Sequence, residues 1–463
     1  MKVQNLLIAT TCSIAILLGT CNNSPAGDSA KQADADIPRL YADYCAGCHG
    51  AQLQHFKMLK SHKNRSLDEL DAAIKNGDTD KGMPAFKVSL PESTIRELSL
   101  FIKNYDYEKD YIAEVKEAGK GYTVEVVVDG LEIPWGMEFL PDGDMLIAEK
   151  KGTLSRFSKT TGLTPIKGLP PVRAAGQGGL MDLKLHPQYE ENGWLYVSYS
   201  YIDANNPRNG NTAIIRARLQ GDALTDIQEI YRGYPAVSTN HHFGNRMLFD
   251  REGYLYFSNG ERGRRDDFPQ ALDNTNGKIH RLHDDGSVPA DNPFVGQPDV
   301  AESIYSYGHR NPQGLALHPE TGAVWEHEHG PRGGDEINII KKGANYGWPV
   351  ISYGINYNGT RFTDLTEQEG MEQPLFYYVP SIAPCGMAFV TSDKYPGWKN
   401  NLLIGSLRFQ YLERVVLKDS LVIHQEKMLE ELNSRVRDVR IGPDGYIYVA
   451  LEGPGRIVRL LPK

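Results

Sequence analysis

Three groups of residues in this chain have types and spacings that suit chemistry. The first is Cys45-Ala46-Gly47-Cys48-His49. Two thiols one helical turn apart can bond the two vinyl groups of a haem, and the histidine that follows can reach its iron. A redox or zinc-binding pair is the other reading of CxxC; the adjacent His and the downstream sequence weigh against it. The second group is His241 and His242, side by side in STNHHFGNRMLFD. A neutral imidazole can take a proton near neutral pH, bind a metal or fill space. On a strand-like run, neighbours point to opposite sides, so one of the two should face a site squarely. The third is Arg435 and Arg437 in SRVRDVRI. Two apart on a strand, they share a face. A guanidinium pair suits carboxylates through paired N–H donors, and a solvated strand face is the plain alternative.

These groups need elements to hold them. A chain of 463 residues is too long for one ordinary core, so at least two domains are expected. The net charge of -9 and the lack of a dense Lys/Arg block exclude nucleic acid as a partner class. Residues 1–21 read as an export segment: Lys2, the apolar run LLIATTCSIAILL, then Leu18-Gly19-Thr20-Cys21. The run is short for a membrane span. The last four residues resemble a bacterial lipoprotein cleavage box with Cys21 as the lipidated residue. Ordinary secretion is the alternative. Residues 22–35 are small, polar and Pro-punctuated, as in a flexible tether. An exported, periplasmic protein anchored only through lipid is expected. Of five cysteines, Cys12 and Cys21 lie in the export segment and Cys45 and Cys48 in the haem motif. Cys385 is left alone, so no disulfide is expected and Cys385 should be a buried apolar residue.

Residues 36–107 form the first folded unit. Met83 lies in a Gly-Met-Pro turn, and SLPESTIRELSLFIKNY follows. Ser89 and Glu92 are spaced as a capping box. Ile95, Leu98, Phe101 and Ile102 make a helical stripe. Haem motif, Met-containing loop and closing helix together resemble class I cytochrome c. That resemblance implies a small all-α domain holding haem c, with Cys45 and Cys48 as covalent attachments and His49 and Met83 as iron ligands. Met58 is the rival to Met83. A Met opposite His raises the potential and suits an electron acceptor. Residues 108–120 are charged and read as a linker.

From residue 121 to 463 one phrase recurs: a Gly-centred turn, then a short alternating strand. It appears at Gly143, Gly193, Gly253, Gly322, Gly397 and Gly445, about fifty to seventy-five residues apart. Such repetition predicts an all-β domain, a β-propeller of six blades. Its functional residues should come from several blades and break the repeat.

Eight stretches do break it, among them AAGQGGLMDLKLHP, NHHFGNRMLFD, GHRNPQGL, GPRGGDEIN, NYGWP and SRVRDVRI. Together and in this order they resemble the soluble quinoprotein glucose/aldose sugar dehydrogenases, six-bladed propellers that hold pyrroloquinoline quinone (PQQ) with calcium. PQQ is a flat o-quinone with three carboxylates, so its pocket needs cations. The resemblance implies that Arg435 and Arg437 bind those carboxylates, with Arg408 near a family Lys and Ser381 at a family Thr. It places Arg310 and Asn311 beside the reactive carbonyl, where donors stabilise the charge that hydride acceptance creates. The backbone carbonyls of Gly330 and Pro331 would ligate calcium, which prefers oxygen and acts as a Lewis acid. His327 and His329 invite a transition-metal reading, but their family counterparts line the pocket. Asp335 and Tyr346 fall near substrate and cofactor, and Gln177 on the substrate side. The family's catalytic His stands four residues before an Arg that opens an apolar strand; counting back from Arg246 selects His242 as general base. His241 then occupies a place where the glucose branch has Asp, which points to the aldose sugar branch. The implied activity is PQQ- and calcium-dependent oxidation of the C1 hydroxyl of an aldose to a lactone. Electrons would leave one at a time through the fused haem to a periplasmic or membrane acceptor. The same chemistry on another alcohol or pyranose, or a non-enzymatic binding propeller carrying a cytochrome, are the alternatives.

Overall fold

A computed structural model describes residues 37–45, 65–77, 83, 85–87, 89–104, 121–418 and 420–463. The export segment, the tether, Cys48, His49, Met58 and the linker lie outside the described residues. No helix among the described residues is long and apolar enough to cross a membrane.

In the helical part, α1 (Ile37–Tyr44), α2 (Leu67–Asn76) and α3 (Glu92–Asn104) enclose one small core. The expected stripe is there: Ile95, Leu98 and Ile102 are buried against Tyr41, Ile74 and Phe86, and Phe101 packs at the edge. Cys45 and Met83 border the same cluster. The capping expectation needs correction. Helix α3 begins at Glu92 and its first carbonyl acceptor is Pro91, which bonds the Ile95 N–H at 3.0 Å, so Ser89 lies too far upstream to cap it. A capping box is instead formed at α2: Ser66 Oγ accepts the Glu69 N–H at 3.2 Å, and Glu69 Oε2 accepts the Ser66 N–H at 2.6 Å.

The rest is a propeller of six four-stranded antiparallel sheets, as the repeat predicts. Each of the six repeated glycines has positive φ, from +68° at Gly193 to +88° at Gly143. A side chain is strained there, which is why glycine recurs at that turn. The first strands of the blades are Pro134–Phe139, Leu180–Leu185, Met247–Phe249, Pro312–Leu317, Pro384–Phe389 and Arg435–Ile441. Each contacts the first strands of its two neighbours, so the six close a ring. The last sheet takes its outer strand, Tyr122–Leu131, from the start of the domain, pairing Tyr122 with Pro462. That exchange locks the ring without a covalent link.

The ring's centre is polar. Arg246, 3% exposed, pairs with Asp182 at 3.3 Å and Asp438 at 3.1 Å, and Arg440 joins the same two carboxylates. Arg246 also donates to the carbonyls of Gln313 (3.0 Å) and Arg437 (2.8 Å) and lies 4.1 Å over Trp135. One side chain thus ties all the blades except the fifth through hydrogen bonds, ion pairs or ring contact, and a 3.7 Å contact to Cys385 Sγ reaches the fifth. Cys385 is fully buried, as expected.

Candidate active site

The propeller's architecture explains why residues distant in sequence meet. Gln177, His242, Arg310, Asn311 and Ser381 each stand just before the first strand of a blade, and Arg435 and Arg437 open the sixth. Glu261, Gly330, Pro331 and Arg408 each follow a second strand. First and second strands run antiparallel, so both sets emerge at one end of the ring. Register shifts near this end, between Pro312 and Gly314, Cys385 and Met387, and Val436 and Asp438, add a residue that re-aims neighbouring side chains.

A cleft of about 700 Å³ opens there. Gln177, His241, His242, Glu261, Arg310, Pro331 and Trp348 are among its lining residues. Both histidines face it, which corrects the alternation argument. The chain at 239–246 is not a strand, and His242 has φ +57°. That left-handed kink turns two neighbours to the same side. Their rings meet edge to face, 4.6 Å between centroids.

His242 is held on three sides. Its N–H donates to Gln177 Oε1 at 2.7 Å, its carbonyl accepts the Arg262 N–H at 3.2 Å, and Nδ1 lies 2.5 Å from Glu261 Oε1. Glu261 is 2% exposed. Burial holds His242 well below the usual histidine pKa, and Arg310, His241 and Arg262 add to that. Burial pushes Glu261 up, opposed first by Arg310. A carboxylate at Nδ1 leaves Nε2 as the imidazole's open nitrogen. Sequence reasoning missed Glu261, because no spacing rule links it to His242. The hairpin pairing Met247 with Phe257 brings the two together.

Arg310 Nη1 donates to the carbonyls of His329 (2.8 Å) and Gly330 (2.9 Å). Buried Glu328 backs this corner, its Oε2 accepting the N–H groups of Arg310 (2.5 Å) and Asn311 (3.2 Å). Asn311 contacts His329 Nδ1 at 3.4 Å, and His329 Nε2 is 2.8 Å from Pro384 O. Asp335, buried and pushed up to about 6 by that burial, accepts the N–H of Gly330 at 2.8 Å and of Ala383 at 2.7 Å. It therefore shapes the turn that presents the Gly330 and Pro331 carbonyls. Ser381 Oγ donates to Pro331 O at 3.3 Å, and Arg408 Nη1 to Ser381 O at 3.3 Å.

The other residues singled out in the sequence are engaged by partners within the protein. Arg435 and Arg437 do share a face, but both bond Glu452, Arg435 Nε at 2.8 Å and Arg437 Nε at 2.5 Å. Like Asn311, Gly330 and Ser381, they and Arg408 stand outside the residues that line the cleft. Asp335 acts through backbone, away from the lining. Tyr346 is committed inside its blade: its hydroxyl donates to Ile339 O at 2.6 Å and its ring stacks on His309 at 4.6 Å. His327 and His329 do not converge as a metal pair, since His327 Nε2 bonds Gly386 O at 3.0 Å.

Comparison with known proteins agrees with the architecture. The family model described as Glucose / Sorbosone dehydrogenase matches residues 131–459. A second, Cytochrome C oxidase, cbb3-type, subunit III, matches residues 32–102. An aldose sugar dehydrogenase of Escherichia coli (strain K12) is 42% identical over 347 residues, 73% of this chain and 93% of that protein. Quinoprotein glucose dehydrogenase B of Acinetobacter calcoaceticus is 27% identical over 428 residues, covering 74% and 88%. The apo-form crystal structure of the soluble E. coli aldose sugar dehydrogenase superposes with TM-score 0.71 at 41% identity, covering 74% of this chain and all of that one (100%). The PQQ-bound aldose sugar dehydrogenase of Streptomyces coelicolor gives TM-score 0.60 at 28% identity, covering 74% and 98%.

Proposed function

This chain belongs to the Glucose / Sorbosone dehydrogenase family, with a cytochrome c-type module ahead of the propeller, and from that premise we propose that it oxidises the C1 hydroxyl of aldose sugars to lactones. The observation that carries the reading is the 2.5 Å His242–Glu261 pair on a cleft shared with Arg310 and Pro331. Family membership sets aside the non-enzymatic binding module.

The donor set fits PQQ. Arg408 is exposed and has no carboxylate partner among the described residues, which leaves a cation for an anionic ligand. Arg435 and Arg437 share the single carboxylate of Glu452, so that corner keeps an excess positive charge. The carbonyls of Gly330 and Pro331 suit a calcium ion; each is already engaged once, by Arg310 and Ser381, and a carbonyl oxygen has a second lone pair. When bound, PQQ supplies a two-electron acceptor, calcium a Lewis acid and haem c a one-electron relay.

His242 takes the proton of the C1 hydroxyl at Nε2, while Glu261 holds Nδ1–H and stabilises the positive charge the ring gains. Low proton affinity keeps the free imidazole as the resting form at neutral pH. Arg310 and Asn311 place fixed donors where negative charge grows, and they need no reorganisation because Glu328 pins their backbone. Gln177 fixes the His242 backbone and offers polar contact to the sugar. Asp335 and Ser381 hold the calcium-side turn. In the N-terminal module, Cys45 and Cys48 would anchor a haem c, and His49 and Met83 would serve as its iron ligands. Export, with lipid at Cys21, puts the enzyme beside a periplasmic or membrane acceptor.

The test is spectroscopic. Full-length protein loaded with haem, PQQ and Ca²⁺ should show reduction of its own haem on addition of aldoses. No absorbance change across an aldose panel would overturn the sugar assignment, and reduction by other alcohols alone would redirect it.

A further inference from the structure

We propose that Arg262 is a positioning residue for His242, locking the 239–243 turn against the cleft. The proposal rests on the reading of His242 as base.

The turn is under demand. His242 sits at φ +57°, a conformation unfavourable for a non-glycine residue and kept only where the surroundings over-determine it. Arg262 supplies much of that determination. Its guanidinium donates to the carbonyls of His241, Thr239 (2.8 Å) and Gly210 (3.4 Å). Its own N–H donates to His242 O at 3.2 Å, and the Thr239 hydroxyl donates to Arg262 O. Its charged carbon lies 3.3 Å over the Phe243 ring. One residue therefore takes the carbonyls of 239, 241 and 242 and grips the aromatic ring at 243.

Arg262 is fully buried, and among the described residues no carboxylate accepts a hydrogen bond from it. Its neighbour Glu261 is engaged with His242, and Arg262 Nε has no hydrogen-bond partner among the described residues. Burial draws its pKa down to about 9, still above neutrality, so the cation persists. Burying an unpaired charge is costly. A clamp alone needs only donors, so the charge points to a second effect. The charged and titratable groups facing His242 are Glu261 at Nδ1, His241 at its edge, Arg310, Arg262, and His329 across the site. Glu261 favours the imidazolium; Arg310 and Arg262 oppose it and keep the base form resting.

The experiment compares Arg262→Gln, Arg262→Lys and His242→Ala as full-length, PQQ- and Ca²⁺-loaded protein with an artificial dye acceptor. Arg262→Gln removes the charge, so the acid limb of the kcat/KM profile should move up by about one pH unit. Arg262→Lys keeps the charge and loses the fork; the limb should stay, while kcat falls about tenfold at little-changed KM. PQQ affinity, read by fluorescence titration, should be near wild type in both. A wild-type kcat together with an unmoved limb in Arg262→Gln would overturn the proposal. If that variant does not fold, an unchanged kcat in Arg262→Lys would overturn it. If His242→Ala retains turnover, the base assignment itself has failed.

Discussion

Glu261→Gln isolates what the buried pair contributes. The perturbation keeps shape and removes charge from a carboxylate 2.5 Å from His242 Nδ1. A hydrogen bond to a charged group contributes about 1.5–3 kcal/mol. If that interaction strengthens as His242 gains its proton, kcat should fall about 10- to 150-fold, at roughly 1.4 kcal/mol per decade. Glu261 Oε2 is buried without a hydrogen-bond partner among the described residues, so the Gln amide can turn either way. With its NH2 toward Nδ1, it would force the ring proton onto Nε2, and the loss would approach the ~10⁴ of a wrong tautomer. The carboxylate stabilises the imidazolium, so its loss lowers the His242 pKa and moves the acid limb to lower pH. Stability has the opposite sense. Burial raises the Glu261 pKa, so ionising it above pH 4.5 costs the fold, and a neutral side chain should leave the melting point at pH 7 unchanged or higher. The assay is steady-state kinetics with a dye acceptor, with PQQ affinity measured separately. A kcat within twofold of wild type and an unmoved limb, or a loss confined to PQQ affinity, would refute the dyad.

Two further outcomes follow from the ring and its rim. Arg246→Met leaves Arg440 to balance both Asp182 and Asp438, one buried negative charge in excess, and should destabilise the propeller by about 3–5 kcal/mol in urea unfolding; a change under about 1 kcal/mol would deny the network its role. Arg408→Ala removes an exposed cation without an ion pair, so stability should hold within about 0.5 kcal/mol. Its PQQ dissociation constant should nonetheless rise about tenfold or more; an unchanged constant would remove Arg408 from the cofactor site.

Much was legible in the chain because it was local. Each repeated glycine marks a turn that needs positive φ, so six of them announced six blades. The helical stripe from Ile95 to Ile102 is short-range periodicity, and the haem motif is a spacing along one turn. Arg246 served only as a counting mark for His242, yet its charge is the hub of the ring. What the tertiary structure decided involves partners far apart in sequence. Glu261 reaches His242 only because a hairpin folds back. Glu452 claims Arg435 and Arg437 from the neighbouring strand. Tyr346 turns inward because Ile339 offers a carbonyl. Both histidines face the cleft because a left-handed residue, fixed by Gln177, Glu261 and Arg262, breaks the alternation a strand would impose. Backbone preference is written locally, whereas the field around an ionisable group is a sum over neighbours that only the closed ring brings together.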